Sequence, residues 1–318
     1  MDNSTHLNSQ SMQDLQRVYF EEESLLKEQY RALGNLGLQI IFSIAKNPSV
    51  YYVFCPWGSG DTLTVAAYLH YIREYRSVQR LTLVCKKNQT DIADMFDAID
   101  DCIAIGADEC DAITIASCLS LATYGPNYMV GNLSLIRKAS LPHRLLPYKL
   151  FVLQVPENAV PEKVSEKFFT SYDTTLAEKW KNQVLLAPYA VAFPLLPDSF
   201  WEKLVQALND AGFQVVTNVY GEEKPIMGSE RLEVSVREAF QLARYAAGVI
   251  SYRSGFSDIL ALQPELPHVV INPDTHTMSF DDCSVLGDAK KLLNLVYDEA
   301  QEDELINRIL SYFTCSAP

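Results

Sequence analysis

The sequence lacks the signatures of several protein classes. It has no Cys-x-x-Cys pair and no His/Cys cluster, so we expect no metal site. The apolar segment at 36–45 is interrupted by Gln39 and Ser43 and is far shorter than the roughly 20 residues that cross a bilayer. No basic segment followed by an apolar run opens the chain, so we expect no signal peptide and a cytoplasmic protein.

Basic residues are also scarce. The chain has 26 Lys and Arg against 40 Asp and Glu in 318 residues, a formal net charge of −14. A general nucleic-acid binder needs a basic face, so we expect no nucleic-acid partner, although a local site for one phosphate-bearing ligand stays open. The seven cysteines are scattered among apolar residues, which indicates free thiols in a reducing compartment.

What the chain does have is an alternation of β and α patterns. One or two helices are expected in 13–46, interrupted at Gly34 and Gly37. Strands are then expected at 50–54, 81–85, 102–105, 149–155, 184–187, 213–217, 248–251 and 268–271. Helices are expected at 61–75, 90–99, 108–121, 173–181, 198–211, 235–245, 256–262 and 289–313. Such alternation predicts an α/β protein with parallel sheets in two Rossmann-like domains that face a cleft.

Composition shifts suggest where the domains begin and end. Residues 1–48 form a disordered start and a helical extension, and residues 49–155 form the first Rossmann-like domain. The polar, proline-containing stretch 156–182 is the expected linker. Residues 183–318 form the second Rossmann-like domain with terminal helices. Ligands of open α/β sheets bind at the carboxyl ends of the strands, so we expect the site in the cleft.

The first candidate site is the turn that follows the strand at 50–54. Its residues are Trp57, Gly58, Ser59, Gly60 and Asp61. The glycines permit close backbone approach, and the following helix N-terminus offers unpaired N–H groups. Asp61 fits two roles, a helix-capping residue or a carboxylate that contacts a ligand. Trp57 could stack on a sugar or base, or pack in the core.

A second candidate turn follows the strand at 248–251. Its residues are Arg253, Ser254, Gly255, Phe256, Ser257 and Asp258. Serine hydroxyls and helix N–H groups suit phosphate oxygens, and Arg253 adds a fixed positive charge. The alternative is a capped helix with Arg253 paired to a surface carboxylate. A third turn, Pro188-Tyr189-Ala190, could present backbone N–H groups or be a plain loop.

Other polar residues carry weaker expectations. His143 and Arg144 lie near the expected cleft and could contact an acceptor, and His276 lies in a polar loop where a nucleotide could pass. His70 is expected to be structural. The remaining carboxylates near the first domain are expected to be solvated: Asp91, Asp94, Asp97, Asp100 and Asp101.

Taken in order, these segments resemble the ADP-heptose:lipopolysaccharide heptosyltransferase family. The resemblance rests on Gly58-Ser59-Gly60-Asp61-Thr62-Leu63, Ala187-Pro188-Tyr189-Ala190, Ser235-Val236-Arg237-Glu238-Ala239 and Ser254-Gly255-Phe256-Ser257, and it covers most of 50–273. It implies a GT-B glycosyltransferase, metal-independent and inverting, without a cofactor. The first domain would bind the acceptor and the second the nucleotide sugar.

The resemblance also assigns roles. Asp61 would be the general base. The acceptor side would consist of Trp57 to Gly60 together with His143 and Arg144. The donor phosphates would be held by the second turn together with Tyr189 and Ala190. The partners would be a nucleoside-diphosphate sugar and a glycan, glycolipid or glycoprotein acceptor, with peripheral membrane association through the acceptor. A sugar-nucleotide epimerase or hydrolase of the same shape, or a non-catalytic nucleotide-sugar-binding protein, are the alternatives.

The chain departs from the family at the donor turn. The family has Asp before Ser-Gly where this chain has Arg253, and His where this chain has Asp258. The family's lysine ahead of a Trp-Pro pair has no counterpart around Phe193 to Pro197. We therefore expect a rebuilt donor site, with Arg253 replacing the lysine charge, and do not assign ADP-heptose as the donor.

Overall fold

The computed structural model describes residues 24–121, 124–131, 148–169, 173–191, 193–273, 286 and 290–316. These residues form two parallel β-sheets with helices on their faces, which confirms the predicted α/β class. Within this part of the chain, no helix combines the length and the apolar character needed to cross a membrane.

The first sheet has four parallel strands in the order β3-β2-β1-β4. They are β1 (Tyr51–Cys55), β2 (Leu81–Lys86), β3 (Asp101–Ile105) and β4 (Tyr128–Val130). The β1 strand is buried throughout, as expected for a central strand covered on both faces. Its helices are α1 (Ser24–Ile44), α2 (Ser59–Ala66), α3 (Leu69–Tyr75) and α4 (Ala107–Cys118).

Helix α1 is continuous, so the predicted interruption at Gly34 and Gly37 is wrong. The two glycines allow α1 to approach α4 closely. A Cβ atom on Gly37 would lie 2.1 Å from the carbonyl oxygen of Ala112, and one on Gly34 would lie 2.9 Å from Leu119 Cδ1. Ile41 of α1 is completely buried in the cluster on this face of the sheet. The residues before Ser24, including the predicted start of this helix, lie outside the described part.

Three other local predictions are corrected. The helix predicted at 61–75 is two helices, because the Ala67 carbonyl accepts a hydrogen bond from Glu162 N at 2.7 Å at the break. The segment predicted as a helix at 90–99 is a 3-10 helix, Lys87–Met95. The strand predicted at 149–155 is a single π-helical turn, Tyr148–Leu153.

The second sheet has six parallel strands in the order β10-β9-β8-β5-β6-β7. They are β5 (Gln183–Ala187), β6 (Gln214–Asn218), β7 (Glu230–Leu232), β8 (Gly248–Tyr252), β9 (His268–Asn272) and β10 (Leu292–Val296). Its helices are α5 (Thr174–Trp180), α6 (Asp198–Asp210), α7 (Val236–Ala243), α8 (Gly255–Leu260) and α9 (Glu302–Ser316). Short 3-10 segments lie at Glu166–Phe168 and Glu299–Gln301.

The prediction of a helix throughout 289–313 is wrong in its first part. Residues Leu292–Val296 form β10, an edge strand that pairs with β9 in register Leu292 to His268. The apolar pattern of residues 292–296 fits either a helix or a strand. Pairing with the free edge of β9 makes the segment a strand. The three-residue strand β7 was not predicted; it pairs with β6 at the opposite edge.

The strand orders determine where a ligand would bind. In the second sheet β5 has β6 on one side and β8 on the other, so the strand order reverses there. In the first sheet β1 lies between β2 and β4 in the same way. Ligands of open α/β sheets bind outside the carboxyl ends of strands at such reversals. The first turn follows β1, and the second turn follows β8.

Candidate functional site

The first turn begins α2 directly after β1. Gly58 is the N-cap residue, and Asp61 at the third helical position accepts a hydrogen bond from Gly58 N through Oδ2 at 3.1 Å. A carboxylate in the first turn also interacts favourably with the positive end of the helix dipole. Asp61 therefore does act as a capping residue. Asp61 is half-buried. Its Oδ2 makes the capping bond, so Oδ1 can make a further contact.

That other oxygen is bonded to a residue that the sequence did not suggest. Asp61 Oδ1 accepts a hydrogen bond from the hydroxyl of Tyr148, which begins the π-helical turn and is 5% exposed. Tyr148 is separated from Asp61 by 87 positions in a region without a clear secondary-structure pattern. No sequence signal could have identified it.

Gln89 fixes the first turn from the 3-10 helix after β2. Its Oε1 accepts from Thr62 Oγ1 at 2.8 Å, and its Nε2 donates to the carbonyl of Trp57 at 2.9 Å. Gln89 is 2% exposed, so both of its bonds are shielded from water. Trp57 is 4% exposed and packs in the core of the first sheet, so its ring is not presented to solvent.

The second turn is built around two serines. Ser254 is the N-cap of α8, and its backbone N donates to Ser257 Oγ at 3.0 Å. Ser257 Oγ in turn donates to the carbonyl of Tyr252 at 2.9 Å. Ser257 is completely buried, whereas Ser254, Gly255 and Phe256 are half-exposed. The N-cap side of the turn is therefore accessible to solvent, and the bond from Ser257 to Tyr252 holds the turn to the end of β8.

Arg253 and Asp258 form a buried ion pair within this turn. Arg253 Nη1 lies 3.0 Å from Asp258 Oδ1 and also donates to the Ser254 carbonyl at 2.9 Å. The two side chains are only 6% and 4% exposed. These are the two positions of this turn at which the sequence differs from the motif that it resembles. Arg253 Nε is buried and has no hydrogen-bond partner among the described residues.

A buried histidine lies beneath the same turn. His268 Nε2 and Ser251 Oγ are 2.8 Å apart, and Ser251 Oγ donates to Ser257 Oγ at 3.1 Å. Burial lowers the pKa of His268 to about 3, against a smaller opposing effect of Asp258, so the imidazole is neutral at physiological pH. This chain of hydrogen bonds ties the second turn to strands β8 and β9.

The two turns contact each other. A Cβ atom on Gly255 would lie 2.2 Å from Gly60 N and 3.0 Å from the carbonyl carbon of Ser59. Only glycine permits so close an approach of two backbones. The structure therefore brings the Asp61 turn and the Arg253 turn together at the facing edges of the two sheets.

A second contact between the sheets lies beside the turns. Arg237 N donates to Asp91 Oδ2 at 3.0 Å, and Arg237 Nη2 lies 2.7 Å from Asp94 Oδ2. The predicted solvation of these carboxylates is compatible with such pairing, because the side chain of Asp94 is 60% exposed. Asp97, Asp100 and Asp101 are also paired, with Lys167, Arg73 and Arg80 respectively.

The remaining predicted residues lie elsewhere. The Tyr189 hydroxyl donates to the carbonyl of Lys224, and Ala190 packs against the core of the second sheet. Neither is shown in contact with the second turn. His143, Arg144 and His276 lie outside the described residues. The described residues contain no group of three or more His, Cys, Asp or Glu side chains placed to hold a metal ion.

The sequence matches no family model and no curated protein sequence. Solved structures do match in fold. E. coli ADP-heptose lipopolysaccharide heptosyltransferase II is 11% identical with a TM-score of 0.56, over 85% of this chain and 99% of that one. E. coli heptosyltransferase WaaC, in complex with ADP-2-deoxy-2-fluoro heptose, is 12% identical with a TM-score of 0.56, over 85% and 100%.

A glycosyl transferase family 9 protein of Veillonella parvula is 13% identical with a TM-score of 0.52, over 83% of this chain and 97% of that one. All three likenesses extend over most of both chains at low identity. The chain therefore has the two-domain GT-B fold of these glycosyltransferases, as its sequence predicted.

Proposed function

We propose that the protein is a glycosyltransferase that moves a sugar from a nucleoside-diphosphate sugar to a glycan, glycolipid or glycoprotein acceptor. The observation that carries the proposal is the contact of the two glycine turns, Gly60 against Gly255, within a heptosyltransferase-like fold. The first domain, 49–155, would bind the acceptor and the second, 183–318, the donor. A cytoplasmic location belongs to the proposal, and a glycolipid acceptor would bring the protein to a membrane surface.

The reaction needs a base, and Asp61 is the proposed one. The acceptor oxygen forms a bond to the anomeric carbon as the bond to the diphosphate oxygen breaks, which inverts that carbon. The acceptor proton passes to Asp61. Because Asp61 Oδ2 caps Gly58 N, the proton would go to Oδ1, and the acceptor hydroxyl would displace the hydroxyl of Tyr148. The leaving diphosphate needs no metal ion if N–H groups and hydroxyls of the second turn stabilise its charge.

The contribution of Arg253 to that stabilisation is reduced by its partner. Asp258 lies 3.0 Å from the guanidinium, so the pair carries no net charge. The phosphates would then rest on the half-exposed Ser254 and the first N–H groups of α8. A rebuilt donor turn of this kind supports a donor other than ADP-heptose.

The same contacts favour one competing function, a non-catalytic nucleotide-sugar-binding protein. Both oxygens of Asp61 accept hydrogen bonds, and Arg253 is neutralised. A protein of that kind would bind the donor and never turn it over.

Asp61→Asn tests the proposal against this competitor. Wild-type protein is first screened with UDP-, GDP- and ADP-linked sugars by thermal shift, because a ligand that binds only the folded state raises its stability. With the selected donor, Asn keeps the capping oxygen but cannot accept a proton, so turnover should fall by about 100-fold or more while donor binding stays. Tyr148→Phe is the matched control. It removes the competing donor to Oδ1 and should leave turnover at or above the wild-type rate.

Donor binding without turnover in the wild type, with any acceptor glycan, would favour the binding protein. Sugar release with donor alone would indicate a hydrolase. Full turnover of Asp61→Asn would show that the carboxylate is only a cap.

A further inference from the structure

Two thiols of the first sheet face each other at close range. Cys85 lies on β2 and Cys102 lies on β3, and their sulfur atoms are 3.7 Å apart. In the register of the two strands Cys102 is opposite Leu83, so Cys85 and Cys102 are diagonal neighbours on the same face. A disulfide requires the sulfurs to approach to about 2.0 Å and the Cα atoms to lie within about 7 Å. From a diagonal position this requires a small shift of the edge strand β3 toward β2 in addition to side-chain rotation.

The two thiols differ in exposure. Cys85 is completely buried, whereas Cys102 is half-exposed on β3, the edge strand of this sheet. An oxidant in water can therefore reach Cys102 but not Cys85. Such an arrangement has an attacking thiol and, behind it, a second thiol that can resolve the first oxidation product.

Electrostatics favour the same division of roles. The hydrogen bond from Cys85 lowers the pKa of Cys102, against the opposing effects of burial and of the Asp94 and Asp101 carboxylates. The pKa of Cys85 is raised by the same hydrogen bond and by burial, so Cys85 stays protonated. The nearby carboxylates oppose ionisation and so reduce the fraction of Cys102 that is thiolate, which makes its reaction with peroxide slow.

We propose that Cys85 and Cys102 form a reversible disulfide when the protein meets a hydroperoxide. The Cys102 thiolate attacks the peroxide oxygen, the O–O bond breaks, and sulfenic acid and hydroxide (from hydrogen peroxide) result. The Cys85 thiol then attacks the sulfenic sulfur, the S–S bond forms and water leaves. The two thiols lose two electrons in total, the peroxide gains them, and a dithiol reductant reverses the change.

The disulfide would lie close to the candidate site. Strand β2 ends one residue after Cys85 and leads directly into the 3-10 helix that carries Gln89, the residue that fixes the first turn. Cys85 is also paired in register with Cys55, the last residue of β1 before the turn. The inference does not depend on the proposed glycosyltransferase activity.

Peptide mapping of the whole chain tests the site. All proteins carry Cys315→Ser, which removes the one thiol that is exposed among the described residues and so reduces intermolecular disulfides. Reduced protein is treated with hydrogen peroxide, its remaining thiols are alkylated, and it is digested with trypsin and Asp-N. These proteases separate Cys85 in peptide 81–86 from Cys102 in peptide 101–107. The expected product is a linked pair of these peptides, two hydrogens lighter, that disappears after reduction with dithiothreitol.

Variants distinguish the two roles. In Cys85→Ser the Cys102 sulfenic acid should accumulate and react with dimedone. In Cys102→Ser the Cys85 thiol should stay alkylatable after denaturation. Cys118→Ser, which removes another half-buried thiol, should form the 85–102 link as the wild type does. The proposal is overturned if Cys85 links to Cys55 or Cys110 instead, if Cys102 is oxidised beyond sulfenic acid while Cys85 stays reduced, or if both thiols survive peroxide that oxidises Cys118.

Discussion

Gly255→Ala tests whether the two turns touch in solution. The added Cβ would lie 2.2 Å from Gly60 N, an approach that no relaxed structure shows, and the atoms on both sides belong to the backbone. No side chain can rotate away, so the strain is relieved only if the turns separate. Overpacking of this kind costs about 1–3 kcal/mol. Gly255 is the first residue of α8, where the helix-interior advantage of alanine over glycine contributes little, so the expected net loss is about 1–3 kcal/mol.

Urea denaturation and small-angle X-ray scattering measure the two consequences. The free energy of unfolding should fall by that amount, and the radius of gyration should rise as the sheets move apart. Gly106→Ser is the matched control, since it also adds a side chain at the start of a helix. Its Cβ would meet Glu109 Oε2 at an ordinary 3.6 Å, and serine is a preferred N-cap. If Gly255→Ala changes neither quantity, the two turns are apart in solution and do not form one site.

Three further results are expected. Arg253→Ala should lower the free energy of unfolding by about 3–5 kcal/mol in a chemical melt, because it leaves the Asp258 carboxylate buried without its cation. Replacing both residues by a Leu/Met pair should lower the free energy of unfolding much less. An equal loss in the two variants would contradict a stabilising role of the ion pair. The pKa of His268 is lowered to about 3 in the folded protein. As the pH falls, the imidazole is therefore protonated in the unfolded chain before it is protonated in the folded protein. Stability should thus be full above pH of about 6.5 and fall by up to about 1.4 kcal/mol per pH unit below it, with a shallower acid slope in His268→Gln; identical slopes would refute this. Turnover, once a donor is found, should survive EDTA, whereas loss that Mg²⁺ or Mn²⁺ restores would indicate another transferase class.

The sequence allowed the fold class to be predicted because the central strands of both sheets are continuous buried runs. It failed where tertiary contacts decide local structure. Gly37 lies within a continuous helix because Ala112 is its neighbour, and residues 292–296 form a strand because β9 offers a free edge. The end of α2 depends on Glu162, about 95 positions further along the chain, which no local pattern encodes.

The candidate site was predictable only in its turns. Glycine, serine and aspartate at helix starts are visible in a sequence, and so are the residues on which the resemblance rests. The partners of those residues are not. Tyr148 and Gln89 come from segments with no motif of their own. The proposed roles of the turn residues therefore stay predictions until activity is measured.

The buried Arg253–Asp258 ion pair restricts how this turn can change over evolutionary time. Replacing Arg253 alone by an acidic residue would place two carboxylates side by side out of water, and replacing Asp258 alone by a basic residue would do the same with two cations. Each single replacement is penalised, so the two positions are expected to change together or through a neutral stage.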